Sequence, residues 1–260
     1  SSAMSVYEVV ARNYSAAHEN RIHSDEVARE LGFKGALVPG VAVFGHLTYP
    51  MVQRFGEDWL GQAQCSVKFL KPAYHDDRLS ISTVEDNGRF HIRCHNGEDT
   101  LLATMDASCP EAQPAPEDQS VFSGEPKASD RPDMTWDTVT ENEPFPQWHL
   151  QMTEDGNRTY TEQIDDPLNL YRFVVHPHWL LATANRALTR EYVLPAWIHV
   201  GSDIRFRSVV RVGDTLTVDA VPLEKWERKG HQFIRLYLAY HREDVLTTEI
   251  FHTAIFRVAT

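Results

Sequence analysis

A short segment near the start of the chain combines side chains that move protons near neutral pH. Two imidazoles (His18 and His23), a carboxylate (Glu19) and an amide (Asn20) fall within six residues. An imidazole titrates close to neutral pH, so a histidine in such a segment is suited to general acid–base chemistry. His23 is therefore the first candidate for a proton-transferring residue, with the other three as its candidate partners.

An apolar run follows this segment and indicates a buried helix. It opens at Gly40, seventeen residues after His23, and continues to Leu47 with too few polar residues for a surface helix. We predict a helix that begins at Gly40 and ends or kinks near Pro50. A helix N-terminus offers backbone N–H donors and a favourable dipole to a developing oxyanion, and glycine permits close approach. Gly40 and Val41 are therefore candidate substrate-binding residues.

The two features together resemble the signature of the R-specific enoyl-CoA hydratase family, which is MaoC-like. In that family an Asp stands five residues before a His in an Asp-x-Asn-Pro-Ile-His pattern, and a Gly opens the central hotdog helix some seventeen residues later. Asn20, Ile22 and His23 match this pattern in place, and Gly40 has the matching spacing. The resemblance covers residues 13–83 well and is weak but in phase over the second half.

The chain departs from the family pattern at two positions. His18 stands at the Asp position and Arg21 at the Pro position. In the family the Asp handles the water, so three interpretations stay open. His18 or Glu19 could replace the Asp in a working hydratase, the site could bind acyl thioesters without turnover, or it could hydrolyse them. Residues 41–55 contain no Asp or Glu, and many hotdog thioesterases carry a carboxylate on or near this helix, which weighs against hydrolysis.

The resemblance implies an acyl-thioester hydratase or dehydratase that acts on 2-enoyl or 3-hydroxyacyl thioesters of coenzyme A or a carrier protein. His23 would be the main acid–base group, Asn20 would orient it or the water, and Gly40 would stabilise the enolate oxygen. We expect an enzyme without a resident cofactor or metal. A non-catalytic acyl-thioester-binding protein and a thioesterase are the alternatives.

The chain contains two similar halves. Phe69 matches Phe206 and Asp77 matches Asp214, and the offset in sequence is the same for both pairs. Each half reads as a helix followed by strands, which is an α+β layout, and two such units commonly pair their sheets edge to edge. With the family resemblance, this predicts a double hotdog, in which an antiparallel sheet wraps a central helix twice.

The domain boundaries follow from composition. We predict an N-terminal lobe over residues 4–109, a linker rich in proline and acidic residues over 110–133, and a C-terminal lobe over 134–260. The Asn-x-Ile-His pattern is missing from the C-terminal lobe, so we interpret that lobe as degenerate.

Several histidines of the chain have no match in the family pattern. His176 and His178 flank Pro177 at the start of a helix predicted from His178 to about Tyr192, after a strand predicted at Thr159–Ile164. Their spacing is not the helical pairing that converges on zinc. Four others are interpreted as buried structural residues: His46, His199, His231 and His252.

Four basic residues are candidates for binding phosphates. Arg205 and Arg207 alternate along one predicted strand, so both point to the same face of the sheet, and Lys68 and Lys71 flank the matching Phe69 of the first half. They could bind phosphates of coenzyme A or of a carrier-protein arm. Solvated strand charges are the alternative.

Composition sets the remaining expectations. A formal net charge of -12 argues against broad binding to nucleic acid or to an anionic membrane, and no apolar run approaches the roughly 20 residues that span a bilayer. Three scattered cysteines suggest reduced thiols. We expect a cytoplasmic protein, monomeric or homodimeric, whose partner is an acyl-CoA or acyl-carrier-protein thioester.

Overall fold

The computed structural model describes residues 5–14, 20–116, 124–125 and 130–260. The first half contains β1 (Ser5–Val10), α1 (Asp25–Glu30), α2 (Gly40–Phe55), β2 (Gln64–Phe69), β3 (Arg78–Asp86), β4 (Arg89–His95) and β5 (Leu101–Ser108). The second half contains β6 (Trp148–Gln151), α3 (Glu154–Gln163), α4 (Pro177–Thr189), β7 (Ile198–Phe206), β8 (Thr215–Arg228), β9 (His231–Arg242) and β10 (Val245–Arg257). Short 3-10 turns lie at Arg21–His23, Gly56–Gly61, Trp136–Thr138 and Asn169–Arg172.

The strands of both halves form one continuous antiparallel sheet. Its order is β1-β3-β4-β5-β2-β7-β10-β9-β8-β6. The two halves meet where β2 pairs with β7, in a register that runs from Gln64 opposite Arg205 to Lys68 opposite Gly201. Each half keeps a long helix against the sheet, and α2 and α4 contact each other. The predicted α+β architecture, with two helix-and-sheet units joined edge to edge, is confirmed.

The sequence repeat extends through the loops before the two long helices. The first residues of α2 and α4 have the same offset in sequence as Phe69 and Phe206. Just before α2, the Val38 N–H donates to the Ala73 carbonyl at 2.8 Å, and before α4 the Val175 N–H donates to the Val210 carbonyl at 2.9 Å. Val175 and Val210 are the repeat equivalents of Val38 and Ala73, so the same hydrogen bond occurs in both lobes. The two lobes therefore share their loop geometry as well as their strands.

Helix α2 continues past Pro50 to Phe55, so the prediction that it ends or kinks near Pro50 is wrong in its length. A proline inside a helix removes one backbone hydrogen bond. Ten residues of α2 are buried, and burial of apolar surface is the main source of helix stability in a folded protein. The packing of α2 outweighs the loss of one bond.

The strand predicted at Thr159–Ile164 is also wrong, because most of this segment belongs to α3. The Thr153 side chain caps the helix by accepting a hydrogen bond from the Gly156 N–H at 3.0 Å. Glu154 and Asp155 lie in the first turn, where negative charge favours a helix. These local signals outweigh the strand preference of the threonines.

We keep the lobe boundaries at 4–109 and 134–260 as a proposal that the contacts of Met134 support. Its side chain is buried in the main core, and its N–H donates to the Val193 carbonyl at 2.8 Å. Met134 is thereby tied to the C-terminal lobe. In the described part of the chain, no helix has the length and apolar character needed to cross a membrane.

Substitution of Gly45 tests the packing of α2 against α4. A Cβ at this position would lie 2.6 Å from Ile164 Cδ1 and 3.0 Å from His178 Cβ. We expect Gly45→Ala to lower the free energy of unfolding by about 1–3 kcal/mol through overpacking. Gly97→Ala is the matched control, since nothing lies within 4 Å of a Cβ there. Equal urea midpoints for the two variants would contradict this packing.

Candidate functional site

A cavity of about 210 Å³ lies between the two lobes at the N-terminus of α2. Residues of both halves line it, and most of its wall is apolar, with Phe33, Leu37, Val43, Phe69 and Leu102 among the side chains. Its polar lining consists of Asn20, His23, Lys71, Asn185 and His199.

His23 lies on the 3-10 turn that precedes α1, and it lines this cavity. Its Nδ1 lies 2.6 Å from the Leu37 carbonyl oxygen. Because a carbonyl can only accept a hydrogen bond, Nδ1 carries the proton of the neutral ring and Nε2 has the lone pair. The backbone thus fixes the tautomer that leaves Nε2 as the basic nitrogen.

Asn20 is buried and ties the N-terminal segment to the C-terminal lobe. Its Nδ2 donates to the Trp197 carbonyl at 2.7 Å, and its Oδ1 accepts from the Trp197 N–H at 3.0 Å. The same Oδ1 lies 3.3 Å from the Ile22 N–H and caps the turn that carries His23. The amide therefore fixes the turn against the residue that precedes β7.

Gly40 lines the cavity at a position where even a Cβ would be tightly packed. A Cβ at this position would lie 3.1 Å from Phe69 Cε2 and 3.2 Å from His199 Nδ1. The N–H groups of Ala42 and Val43 already donate to the Pro39 carbonyl, whereas those of Gly40 and Val41 precede the first helical hydrogen bonds. The helix therefore presents donors beside a position where a Cβ would be tightly packed.

His199 belongs to a hydrogen-bonded chain of side chains in the C-terminal lobe. Its Nε2 lies 2.7 Å from Ser202 Oγ, which in turn lies 2.8 Å from His252 Nδ1. The other nitrogen of His252 lies 2.7 Å from the side-chain amide of Asn185, which also lines the cavity. Burial is the first cause that lowers the pKa of His199 well below its ordinary value, and His252 is the second.

A bulge in β7 allows these hydrogen-bonded side chains to meet. Against β10, Gly201 pairs with Thr253 and His199 pairs with Ala254, so Val200 is an extra residue on β7. Alternation along a regular strand would place positions 199 and 202 on opposite faces. The extra residue resets the alternation, so that His199 and Ser202 are both buried on the inner face.

No protein-family model and no curated protein matches the sequence. Solved structures do match its fold over nearly the whole chain. A MaoC domain protein dehydratase from Chloroflexus aurantiacus J-10-fl has a TM-score of 0.67 at 12% identity, covering 98% of this chain and 95% of its own. A conserved hypothetical protein from Mycobacterium tuberculosis, described as a double hotdog, has a TM-score of 0.64 at 14% identity, covering 98% and 96%. The chain has the double hotdog fold.

Structures of another activity share the same double hotdog architecture. An acyl-ACP thioesterase from Bacteroides thetaiotaomicron VPI-5482 has a TM-score of 0.51 at 11% identity, covering 96% of this chain and 97% of its own. The fold alone does not choose between the dehydratase and the thioesterase, so the choice depends on the residues in the cavity.

The structure brings some of the predicted site residues of this double hotdog together. Asn20, His23 and Gly40 all line the cavity, and Val41 follows with its side chain in the main core. His18 and Glu19 lie outside the described residues. Lys71, one of the predicted phosphate-binding residues, also lines the cavity, whereas the sequence pattern indicates neither His199, interpreted as structural, nor Asn185. No motif marks His199, because its place in the wall depends on the bulge and on pairing between the lobes.

Three of the predicted phosphate-binding residues, Lys68, Arg205 and Arg207, do not line this cavity. Arg207 Nε donates to Glu249 Oε1 at 2.7 Å, and Arg205 Nη1 lies 3.7 Å from the same oxygen. Glu249 is fully buried and also accepts a hydrogen bond from the Tyr237 hydroxyl. The side chain of Lys68 is exposed on β2. Arg205 and Arg207 already neutralise the buried carboxylate of Glu249. A role of the basic residues in phosphate binding stays a prediction.

The C-terminal lobe of the double hotdog fills its own helix start with side chains. His176 Nε2 lies 2.8 Å from Asp166 Oδ2, and the ring of Tyr171 packs on His176 with centroids 4.1 Å apart. His178 Nδ1 donates to the Tyr160 carbonyl, so its Nε2 accepts from the Tyr14 hydroxyl at 2.6 Å. Burial lowers the pKa of His178 to about 3. Among the described residues, no group of three metal-binding side chains converges.

Asn157 gives a matched test for the role of Asn20, because it is the equivalent position of the second repeat and is equally buried. Its amide donates to the carbonyls of Tyr171 and Val174 and accepts from the His176 N–H. We expect Asn20→Ala and Asn157→Ala each to lower the free energy of unfolding by about 1–3 kcal/mol, because both leave buried backbone groups unpaired.

The local effect of the two variants should differ, and hydrogen exchange measures it. Asn20→Ala should speed exchange of the Trp197 N–H and leave that of His176 unchanged, and Asn157→Ala should do the reverse. Unchanged protection of the Trp197 N–H in a folded Asn20→Ala variant would contradict the link between the lobes.

Proposed function

We propose that this double hotdog is an acyl-thioester hydratase or dehydratase that interconverts 2-enoyl and 3-hydroxyacyl thioesters. The observation that carries the proposal is the shared cavity, whose wall includes both His23 and the N-terminus of α2 at Gly40. The fold match to a MaoC domain dehydratase supports it. Coenzyme A and a carrier-protein arm are the two carriers that the proposal allows.

The helix start would bind the thioester carbonyl. Hydration of a 2-enoyl thioester places negative charge on this oxygen as an enolate, and N–H donors with the helix dipole stabilise such charge. Gly40 allows the oxygen to approach, because a Cβ would contact Phe69 and His199. The donors of Gly40 and Val41 therefore fit the oxyanion role.

His23 would exchange a proton with the α-carbon. Its Nδ1–H stays on the Leu37 carbonyl, so the proton enters and leaves at Nε2. In hydration, protonated Nε2 gives its proton to C2, and in dehydration neutral Nε2 takes the proton back. Asn20 supports this step as a positioning residue, since its amide is bonded to Ile22 and Trp197.

The size and lining of the cavity favour a short acyl group. A dry apolar cavity of about 150 Å³ holds a benzene molecule of six carbons, and this cavity is about 210 Å³. An acyl group of about four to six carbons fits that volume. Crotonyl-CoA, with four acyl carbons, is therefore the first substrate to test.

Two alternatives rest on one feature of the cavity. None of the lining residues that the structure describes is an Asp or Glu. This weighs against a thioesterase that needs a carboxylate, and it is also what a protein that binds acyl thioesters without turnover would show. Turnover of crotonyl-CoA, with a free-thiol assay in the same tube, separates the three functions.

His23→Asn is the sharpest variant for the proposal. The asparagine amide can still donate to the Leu37 carbonyl, but no atom replaces Nε2. We expect kcat for hydration of crotonyl-CoA to fall about 100-fold or more, because general acid–base catalysis contributes about that factor. The loss of the conjugated enoyl absorbance measures it.

The matched control for this experiment is His91→Gln. His91 is exposed, pairs with Asp106 and lies on β4 away from the cavity, so kcat should stay unchanged. Full hydratase activity in His23→Asn would refute the assigned role. Release of free thiol at the rate of enoyl loss would identify a thioesterase instead.

A further inference from the structure

The titratable side chains of the cavity come from both lobes. Among the lining residues that the structure describes, only His23, Lys71 and His199 titrate. His23 belongs to the N-terminal lobe and is assigned above to the α-carbon. A hydratase needs a second group that handles the water, and the family pattern has no Asp at the expected place in this chain. His199 is the remaining imidazole.

Hydrogen bonds fix which nitrogen of His199 has a lone pair. Ser202 Oγ lies 2.8 Å from the Gly201 carbonyl, 2.7 Å from His199 Nε2 and 2.8 Å from His252 Nδ1. The side-chain oxygen of Asn185 can only accept, so His252 Nε2 donates to it and Nδ1 of the neutral His252 ring has the lone pair. The single hydrogen of the Ser202 hydroxyl then goes to His252 Nδ1. Ser202 Oγ therefore accepts from His199, which carries its proton on Nε2 and a lone pair on Nδ1.

Nδ1 of His199 is a buried atom of a cavity-lining residue and is packed beside the helix start. Nδ1 of His199 has no hydrogen-bond partner among the described residues, although the residue is 8% exposed. A Cβ built on Gly40 would lie only 3.2 Å from it. A buried polar atom without a partner is costly, so an unpaired one in a cavity wall indicates a ligand group that pairs with it.

We propose that His199 is a second catalytic base, contributed by the C-terminal lobe, that takes the proton of the water added to the enoyl thioester. This inference rests on the proposed function and names the residue that does the work of the absent Asp. The site is then composite, with the α-carbon acid on one lobe and the water base on the other.

The step balances with these two residues alone. One O–H bond of water breaks, its proton goes to His199 Nδ1, and the oxygen bonds to C3. The π electrons of the C2–C3 double bond take a proton from His23 Nε2 and form the new C2–H bond. His199 then releases its proton to solvent and His23 takes one up, so each turnover consumes one water.

The surroundings of His199 keep it in the basic form. Burial holds its pKa well below the ordinary value for histidine. A lowered pKa means that the ring is neutral at neutral pH, so Nδ1 keeps its lone pair. His252 is also neutral, since burial lowers its pKa to about 3, and its Nε2 donates to the side-chain oxygen of Asn185 at 2.7 Å. Ser202 and His252 act as positioning residues for His199.

His199→Gln tests the assignment. The glutamine amide can still donate to Ser202 from near the Nε2 position, but it places no lone pair at Nδ1. We expect kcat for hydration of crotonyl-CoA to fall about 100-fold, while KM changes by less than about threefold. His91→Gln again serves as the matched control.

A second reaction separates the two histidines. Exchange of the α-protons of butyryl-CoA with D₂O needs the oxyanion donors and His23 but no water base. We expect His199→Gln to retain this exchange and His23→Asn to lose it. Retained exchange also shows that the His199→Gln variant is folded with an intact helix start.

Each outcome decides something. If His199→Gln hydrates crotonyl-CoA at a rate within about threefold of that of the unsubstituted protein, the inference is overturned and the proposed function stands. Loss of butyryl-CoA exchange in a folded His199→Gln variant has the same consequence. If the unsubstituted protein neither hydrates crotonyl-CoA nor exchanges butyryl-CoA, the proposed function itself fails. Should His199→Gln not fold, ¹⁵N NMR of the unsubstituted protein decides: an unprotonated Nδ1 supports the inference and a protonated one overturns it.

Discussion

The pairing of β2 with β7 is the constraint on which the site depends. It joins the lobes into one sheet and brings His199 beside Gly40, although these residues are far apart in sequence. The strands approach closely because Gly201 lacks a side chain, since a Cβ there would lie 2.9 Å from the Val67 carbonyl oxygen. The extra residue at Val200 then turns both His199 and Ser202 inward. The close approach of the two strands and the bulge together place a series of hydrogen-bonded polar side chains in an apolar wall.

The two lobes share one backbone arrangement but differ at the starts of their long helices, α2 and α4. Asn20 and Asn157 lie at equivalent positions, but the Asn20 amide bonds to Trp197 of the other lobe, whereas the Asn157 amide bonds to backbone groups of its own lobe. Beside α2 the scaffold leaves a cavity, whereas at the start of α4 the side chains of His176 and Tyr171 pack together. A contact of 2.8 Å between His176 Nε2 and Asp166 Oδ2, both on buried side chains, closes that second position. The asymmetry explains why, of the two equivalent helix starts, the one at α2 borders this cavity.

Much of this arrangement was predictable from the sequence, because short-range patterns encode it. The spacing from His23 to Gly40 and the apolar run after Gly40 indicate a histidine near a buried helix start. The constant offset between matching residues of the two halves indicates two paired lobes. These signals depend on residue types at fixed separations and need no knowledge of tertiary contacts.

The rest depends on contacts that the sequence does not display. Asn20 bonds to Trp197 across 177 residues, and His199 reaches the cavity only through a bulge whose position no local motif marks. The continuation of α2 past Pro50 reflects the burial of the whole helix, which outweighs a local preference. Arg205 and Arg207 share a face as the alternation predicts, but their partner Glu249 comes from a neighbouring strand.

A crystal structure of the His23→Asn variant with crotonyl-CoA tests the central claim most directly. The account predicts an acyl group in the cavity between the lobes, with its carbonyl oxygen about 2.7–3.1 Å from the N–H of Gly40 or Val41. C3 of the acyl group should face Nδ1 of His199. An acyl group bound outside this cavity, or one whose carbonyl points away from the start of α2, would contradict the account.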